Sequence, residues 1–337
     1  MKRDVIKEIP KVELHCHLDG SVSEEAFKEI AGSAAAGFRN RLRAPVPCGS
    51  LKEYLQCFDQ VLPFLQEEEA IRTAACDVIR QASLENVIYM EVRFAPGLHC
   101  GNGLEETQVC RAVLQGLETG EKLYGVKSRA ILCMMRGKPA EYNKRTVAAA
   151  KELFGYGVGG IDLAGNEVKY PPELYQPLFC EIEKAGIPLT VHAGECQSAE
   201  NVRRAVEMGA RRIGHGVAIA DHEEIKALCV KQGICLEMCP TSNLQTKAAG
   251  RIEEYPFVRL RKEGVCATIH TDNRTVSGTT LTGEWELLSK VFLEVDENMV
   301  RDAAADAAKA AFLPENEKRE LVRRIEKRFI KTQKKPD

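Results

Sequence analysis

The chemistry open to this sequence begins with two histidines one residue apart. His15 and His17 lie in a short apolar segment that runs into a turn at Gly20-Ser21. If the segment is a β-strand, residues two apart share a face and both imidazoles point the same way, whereas on a helix they would lie on opposite sides. Two imidazoles on one face can form half of a zinc site, so the rest of the chain must supply the other half.

Further ionisable residues follow other short apolar segments. His192 and Glu195 follow one such segment, His215 lies between two glycines at the end of another, and Asp272 follows the last. With His270, five of the seven histidines fall at these segment ends. Scattered core histidines would not be distributed in this way, so the segment ends together indicate a functional site.

Three imidazoles and one carboxylate make a catalytic zinc set with a position open for water: His15, His17, His192 and Asp272. Such a site lowers the pKa of bound water to about 7. Two acid–base groups remain. His215 could orient or deprotonate the water, or could simply be a histidine packed between two glycines. Glu195 could protonate the substrate, which requires a carboxyl group held neutral by burial or by the substrate.

The segments that position these groups recur along the chain. From Gly125 onward, each helical segment ends at a glycine, a short apolar run follows, and a polar or glycine-rich turn closes it. A glycine after a helix is the expected left-handed stop, and the apolar run is the next strand. With two earlier runs, the pattern predicts eight strands: Val12–His17, Val87–Phe94, Val126–Met134, Val158–Leu163, Ile187–His192, Arg211–His215, Ile234–Cys239 and Val265–Thr271.

Helical patterns separate these strands. Strands that alternate with helices, and that are apolar on both faces, predict a buried parallel sheet. Eight such units predict a (β/α)8 TIM barrel, with catalytic residues at the C-terminal ends of the strands. An open doubly wound sheet is the alternative, but it has no reason to stop at eight strands. The predicted helices are Glu67–Ser83, Glu105–Leu123, Ala140–Phe154, Pro171–Lys184, Ala199–Met208, Glu223–Lys231 and Glu253–Lys262.

We expect residues 1–337 to form a single catalytic domain with additions to the barrel. An insertion over residues 20–65 follows strand 1, where it could cover the mouth of the barrel or be a decorative loop. Extra C-terminal helices are predicted at Leu281–Glu294, Glu297–Phe312 and Glu315–Ile330, and a basic, disordered tail at residues 331–337.

The composition excludes several classes of partner. The 47 Lys and Arg nearly balance the 49 Asp and Glu, so the net charge of -2 predicts neither a nucleic acid nor an anionic membrane as partner. The sequence has no apolar run of 18 residues and begins with charges where a signal peptide needs apolar residues. We therefore expect a cytoplasmic protein whose 13 cysteines are reduced. The composition does not indicate an oligomeric state.

Several strings resemble the adenosine deaminase family, in the order of that family and across essentially the whole chain. The resemblance implies a zinc-dependent (β/α)8 barrel, with one zinc ion per chain, that replaces the 6-amino group of a purine nucleoside with oxygen. The strings are V-E-L-H-C-H-L-D-G at Val12–Gly20, M-E-V-R-F-A-P at Met90–Pro96, I-D-L-A-G-N-E at Ile161–Glu167, V-H-A-G-E at Val191–Glu195, R-I-G-H-G at Arg212–Gly216, and Thr271-Asp272.

The resemblance also implies individual roles. The implied zinc ligands are His15, His17, His192 and Asp272, and Asp272 is also implied in catalysis. Glu195 matches the proton donor to purine nitrogen 1, and His215 the residue that positions the attacking water. Four residues are implied in substrate binding: His17, Asp19, Gly165 and Asn273. Among them, Asp19 is implied to contact the ribose 5′-hydroxyl, and the backbone of Gly165 is implied to contact nitrogen 3.

Two positions bear on which purine is used. Animal members of the family have a second aspartate where this chain has Asn273. Purine nitrogen 7 accepts hydrogen bonds. An aspartate can donate to it only when the carboxyl group is protonated, whereas an asparagine amide can donate at any pH. Asp19 is shorter than the glutamate found in members that act on free adenine, which leaves space for ribose, although Asp19 could instead only cap the turn. We therefore expect adenosine and 2′-deoxyadenosine as substrates.

Three other interpretations stay open. The nearest is a deaminase of adenine, an adenine nucleotide or a modified adenine nucleoside. A second is a cyclic-amide hydrolase with two metals bridged by a modified lysine, but strand four ends without a lysine. A third is a non-catalytic, metal-stabilised protein, which would need neither Glu195 nor His215. The zinc deaminases with a Pro-Cys-x-x-Cys pattern are excluded because that string does not occur.

Overall fold

The central element is one parallel sheet of eight strands, each paired with the next along the chain. The computed structural model describes residues 1–38, 41–45, 48, 53–54 and 56–332 of the 337. The strands are β1 (Lys11–His17), β2 (Val87–Phe94), β3 (Lys127–Met135), β4 (Val158–Ala164), β5 (Leu189–Ala193), β6 (Arg212–His215), β7 (Cys235–Met238) and β8 (Cys266–Ile269).

The sheet curls into a barrel because its two outer strands meet at the C-terminal end. A parallel bridge joins Cys16 to Asp272, just past β8. There the backbone N–H of His17 donates to the carbonyl of Asp272 at 2.7 Å, and the N–H of Asp272 donates to the carbonyl of His15 at 2.8 Å. The predicted (β/α)8 barrel is confirmed, and its closure contact lies within the predicted site.

Helices surround the barrel and bury one face of each strand. Most begin and end within one or two residues of their predicted bounds, but the C-terminal helix predicted at Leu281–Glu294 ends three residues earlier, at Val291. The α-helices are α1 (Arg3–Glu8), α2 (Glu24–Ala31), α3 (Phe58–Val61), α4 (Glu68–Ser83), α5 (Glu106–Tyr124), α6 (Ala140–Leu153), α7 (Gln176–Lys184), α8 (Ala199–Glu207), α9 (Glu223–Gln232), α10 (Pro240–Gln245), α11 (Phe257–Lys262), α12 (Arg274–Ser277), α13 (Leu281–Val291), α14 (Glu297–Ala310) and α15 (Glu315–Thr332).

Two predicted helices are interrupted where prolines occur. The segment predicted as Pro171–Lys184 is a 3₁₀ turn at Pro172–Tyr175 followed by α7. The segment predicted as Glu253–Lys262 becomes α-helical only at Phe257, because the residue before Pro256 is held extended by the proline ring. The last helix continues to Thr332, and residues 333–337 lie outside the described part of the chain.

The interior of the barrel differs from the prediction of strands that are apolar on both faces. The helix-facing sides are apolar, but charged side chains from several strands fill the interior with almost no exposure. Such burial is tolerated only where the charges are paired, as they are here. The paired charged residues of the interior include Glu91, Arg93, Asp162, Arg212 and Glu237.

The insertion after β1 packs against the mouth of the barrel where the structure describes it. Tyr54 is buried, and its hydroxyl lies 2.7 Å from the Ser277 hydroxyl and accepts a hydrogen bond from the Asn273 amide at 2.9 Å. Within the insertion, the sequence contains a turn-like Ala44–Pro47 string and a Leu51–Leu55 string, and parts of both lie outside the described residues. Among the helices that are described, none is both long and apolar enough to cross a bilayer.

Candidate active site

Four of the barrel's strand ends bring the predicted site residues together. β1 carries His15 and His17, β5 carries His192, β6 ends at His215, and Asp272 follows β8. Parallel strands place their C-terminal ends on one rim, so residues far apart in sequence converge there. The ring centroid of His15 lies 4.6 Å from that of His192 and 4.8 Å from that of His215.

The potential ligand atoms of this cluster point at one another. Nε2 of His17 lies 3.3 Å from Oδ1 of Asp272 and 3.3 Å from Nε2 of His192. Nε2 of His15 lies 3.4 Å from the same carboxylate oxygen and is buried without a hydrogen-bond partner among the described residues. One potential ligand atom each from His15, His192, His215 and Asp272 lies within 4.8 Å of the other three, as the donors around one metal ion would.

The second ring nitrogen of two histidines identifies them as suitable ligands. Nδ1 of His15 lies 2.9 Å from Oε2 of Glu237, and Nδ1 of His192 lies 2.9 Å from Oδ2 of Asp162. A carboxylate can only accept, so each Nδ1 carries the proton and each Nε2 presents a lone pair. This is the usual outer shell of a metal-binding histidine. Oδ2 of Asp272 accepts from the Ser242 hydroxyl, which leaves Oδ1 towards the histidines.

The network around His215 favours the opposite tautomer. The Tyr255 hydroxyl donates to Oδ1 of Asn243 at 2.8 Å, so the amide nitrogen of Asn243 faces Nδ1 of His215 at 3.0 Å. That Nδ1 must accept, and a neutral ring then carries its proton on Nε2. His215 therefore presents an N–H donor to the cluster, where His15 and His192 present lone pairs.

The glycines beside His215 are required by close packing. A Cβ at Gly214 would lie 3.0 Å from Cε1 of His15, and Gly216 adopts a positive φ of 68°. His215 itself has a φ of 66°, which is uncommon for a residue with a side chain. The side chain of His215 is buried, but it is directed at the cluster, which a histidine packed only for stability would not need to be.

The pKa shifts of His15 and His17, but not that of His192, favour the neutral form that binds a metal. Burial, with the neighbouring Arg93 guanidinium, lowers the pKa of His15 to about 4. Burial also lowers the pKa of His17 well below its usual range. Burial alone would lower the pKa of His192, but the Asp162 carboxylate raises that pKa by more than burial lowers it, so the net shift is upward. His15 and His17 are therefore neutral near pH 7, which is the form that coordinates a metal.

A buried arginine organises the two carboxylates behind the ligands. Arg93 donates to Oδ2 of Asp162 at 3.0 Å and to Oε2 of Glu237 at 2.7 Å. Both carboxylates stay charged despite burial, since His192 and then Arg93 lower the pKa of Asp162, and Arg93 lowers the pKa of Glu237. The sequence alone indicated no role for these three residues. A charged residue within an otherwise apolar strand, such as Glu237 on β7, was the available signal.

Glu195 lies beside the cluster on the loop after β5. Its carboxylate is partly exposed and lies 3.6 Å from Nε2 of His215, beyond hydrogen-bond distance. His270, in contrast, is not part of the site. It lies inside the barrel, with Nδ1 at 3.0 Å from Glu13 and Nε2 at 2.8 Å from Thr268.

The predicted substrate-binding residues surround the same mouth. Gly165 follows β4 with a φ of 101°. Asp19 is buried, its Oδ1 has no hydrogen-bond partner among the described residues, and burial raises its pKa while His99 opposes the shift. Asn273 is buried, with one amide hydrogen donated to Tyr54. Its Oδ1 faces Gly20, where a Cβ would lie 1.8 Å away, so only glycine fits.

Comparison with known proteins relates this site to characterised enzymes. The family model for adenosine deaminase matches residues 10–328. The chain is 42% identical to an adenosine deaminase of Enterococcus faecalis, over 98% of this chain and 100% of the relative, and 40% identical to one of Streptococcus thermophilus, over 95% and 97%. The structure of an N6-methyl-AMP deaminase from Arabidopsis thaliana aligns with a TM-score of 0.85 at 26% identity, covering 97% of this chain and 98% of that one.

Proposed function

The chain belongs to the adenosine deaminase family, and on that premise we propose that it converts adenosine and 2′-deoxyadenosine to the corresponding inosines and ammonia, using one zinc ion per chain. The observation that carries this proposal is the convergence of His15, His192 and Asp272 on one point with Glu195 beside it. Identity is higher with the adenosine deaminases than with the N6-methyl-AMP deaminase, so the nucleotide alternative is not favoured.

The residues present fit a single zinc ion. Nε2 of His15 is buried and has no hydrogen-bond partner among the described residues, and the carboxylates at Nδ1 of His15 and His192 direct each Nε2 lone pair towards the cluster. Three imidazoles and a carboxylate are a donor set that zinc accepts, and we assign as ligands His15, His17, His192 and Asp272. When bound, zinc supplies a Lewis acid that lowers the pKa of a water molecule to about 7.

His215 and Glu195 then have separate roles in the reaction. In the tautomer favoured by Asn243, His215 donates through Nε2–H to the oxygen of the attacking water and holds it against purine carbon 6. Glu195 delivers a proton to nitrogen 1 as the oxygen adds, and recovers the proton that the water loses. The second proton of the water goes to the amino group, which leaves as ammonia while carbon 6 becomes a carbonyl carbon.

The remaining contacts orient the nucleoside. The backbone of Gly165 is placed to meet nitrogen 3, and Asn273 retains one amide hydrogen for nitrogen 7. His17 and Asp19 border the sugar, where the free Oδ1 of Asp19 can accept from the 5′-hydroxyl. When ionised, that carboxylate would repel a 5′-phosphate, because like charges at close range cost several kcal/mol when partly desolvated.

A substrate panel tests this proposal directly. Adenosine, 2′-deoxyadenosine, adenine, adenosine monophosphate and N6-methyladenosine monophosphate should be compared by ultraviolet absorbance and ammonia release. We expect the two nucleosides to have the highest kcat/KM and elemental analysis to find one zinc per active chain. A higher kcat/KM for the free base or for either monophosphate would overturn the substrate assignment, and two metals per chain would overturn the single-zinc site.

A further inference from the structure

One buried carboxylate contacts the backbone on both sides of Glu195. Glu167 lies in the loop after β4, with 3% of its side chain exposed. It accepts the backbone N–H of Gly194 at 2.9 Å and that of Cys196 at 2.6 Å, the two residues that flank Glu195. A third hydrogen bond, from the Asn201 amide at 3.1 Å, holds the same carboxylate from α8. All three donors are uncharged, so the role of Glu167 here is not that of an ion-pair partner.

The same turn is also held by Arg136, the residue that follows β3. Nη1 of Arg136 donates to the carbonyl of His192 at 2.8 Å. Gly194 has a φ of 74°, and a Cβ there would lie 2.8 Å from Val202, so the backbone is also confined by packing. The five residues from His192 to Cys196 therefore join the proposed metal ligand to the proposed proton donor through a turn in which side chains hold three backbone groups, and the backbone N–H groups of Gly216 and Ala218 hold two more.

Among the described residues, the side chain of Glu195 has no hydrogen bond comparable to those of Glu167. It is 17% exposed, and its contact with His215 is 3.6 Å long. Its direction must therefore come from the backbone of the turn, where Glu167 accepts the N–H groups on both sides of it. Gly165, whose backbone we assign to nitrogen 3, precedes Glu167 by only two residues. Nitrogens 1 and 3 flank the same carbon of the purine ring, so one loop would set both contacts to that edge.

We infer that Glu167 is a positioning residue for deamination, which holds the carboxyl group of Glu195 against purine nitrogen 1. The inference rests on the function proposed above for Glu195. A misplacement of about 1 Å in a reacting group can cost about 10²-fold in rate, whereas ground-state binding, which depends on many contacts, changes little. Loss of Glu167 should therefore lower kcat much more than it raises KM.

Turnover of the zinc-loaded enzyme gives the first test. Glu167→Gln keeps the size of the side chain but sets an amide N–H against one of the backbone donors. We expect kcat for adenosine to fall about 10- to 100-fold with KM within about threefold of the original. The matched control is Glu121→Gln, which removes a carboxylate that accepts the backbone N–H of Ser128 on β3, away from the site. The control should leave both constants unchanged.

Binding without turnover separates positioning from a general structural role. The N1–H of inosine can donate to the Glu195 carboxylate, whereas 1-deazaadenosine has a carbon in place of nitrogen 1 and cannot make this contact. Calorimetry should show inosine binding to Glu167→Gln weakened by no more than about threefold, the limit expected for KM, and unchanged binding of 1-deazaadenosine. Equal weakening of both ligands, or loss of zinc, would overturn the inference. If Glu167→Gln does not fold, Glu167→Asp, which retains the charge but is one methylene shorter, takes its place with the same criteria.

The proposed function and the role of Glu167 can fail separately. If the unmodified enzyme deaminates adenosine and Glu195→Gln lowers kcat by about 10²-fold or more but leaves a measurable rate, the proposed function holds whatever happens at Glu167. If Glu167 acts only through Glu195, adding Glu167→Gln to the Glu195→Gln variant should cost no further activity. If Glu167→Gln lowers kcat in the Glu195→Gln variant by the same factor as in the unmodified enzyme, Glu167 does not act through Glu195.

Discussion

At the scale of single residues, the group at Nδ1 determines what each histidine can do. His15 and His192 have carboxylates there and expose a lone pair, whereas His215 has the Asn243 amide and exposes an N–H. Three imidazoles whose ring centroids lie about 5 Å apart are thereby divided into two ligands and one hydrogen-bond donor. The division follows from donor and acceptor rules alone.

The first prediction reverses the tautomer of His215. Asn243→Asp places an acceptor at Nδ1, so the ring should carry its proton there, and Nε2 should lose its N–H when the ring is neutral. Because a wrong tautomer at a catalytic histidine can cost about 10⁴-fold, we expect kcat to fall between about 10² and 10⁴ with zinc retained. Steady-state kinetics and elemental analysis measure this. Tyr255→Phe, which only loosens the amide, should cost less, and the reverse order would contradict the assignment.

The second prediction concerns the proton donor. Glu195→Gln should keep zinc and adenosine binding but lose most of the rate, because a glutamine amide cannot pass a proton to nitrogen 1. General acid–base groups contribute about 10²- to 10⁴-fold, and a loss of at least that size is expected in kcat. Rapid-mixing measurement of one turnover isolates the chemical step. A turnover number equal to that of the unmodified enzyme would remove Glu195 from the mechanism.

At the scale of elements, strands and helices are joined beneath the site by buried charged groups. One example lies on α13, where Glu284 is fully buried and accepts the backbone N–H of Thr241 at the start of α10. Burial raises the pKa of Glu284 to about 7, helped by the Glu13 charge. The folded protein therefore holds this carboxyl group protonated at pH values where the unfolded chain has released the proton.

The third prediction follows from that difference in proton binding. Glu284 has a pKa of 4.5 in the unfolded chain and of about 7 in the folded protein. As the pH rises between these two values, the unfolded state loses the proton first, so the free energy of unfolding falls. Glu284→Gln removes this loss. Relative to that of the unmodified protein, the free energy of unfolding of the variant should rise by up to about 3 kcal/mol between pH 4.5 and pH 7. Urea unfolding across this range measures the gain, and a difference independent of pH would show that Glu284 is ionised when folded.

At the scale of the whole molecule, the site is also where the barrel closes. The assigned ligands come from β1, from β5 and from Asp272, which lies in the segment after β8 and bridges back to β1. A bound metal would therefore connect the first strand, a strand across the barrel and the closing segment. Folding and metal binding should be coupled, because the unfolded chain does not present these ligands together.

The fourth prediction is that removal of the metal lowers thermal stability. A ligand present at 1,000 times its Kd stabilises a fold by about 4 kcal/mol, so we expect a strong chelator to lower the Tm by about 5 to 10 °C. Scanning calorimetry with and without chelator measures the shift. His192→Ala, which leaves three ligands, should bind zinc poorly and show little further response to chelation. A chelator-dependent shift of the original size in this variant would exclude His192 as a ligand.

The sequence by itself determined the barrel and the composition of its mouth. Glycine stops and apolar runs identify eight strands because both signals are local, and the C-terminal ends of parallel strands share one rim, so His15, His192 and Asp272 had to meet. Local signals do not reveal side-chain partners. The groups that orient the histidines are 28 to 222 residues away in sequence.

Only the tertiary structure decided what each of these residues can do. Arg93 is an ordinary charged residue in the sequence until the fold places it between Asp162 and Glu237. Glu167 belonged to a recognised string without a role until the loop after β4 met the loop after β5. Protonation state and side-chain direction depend on burial and on hydrogen-bond partners brought from distant segments, and neither exists before the chain has folded.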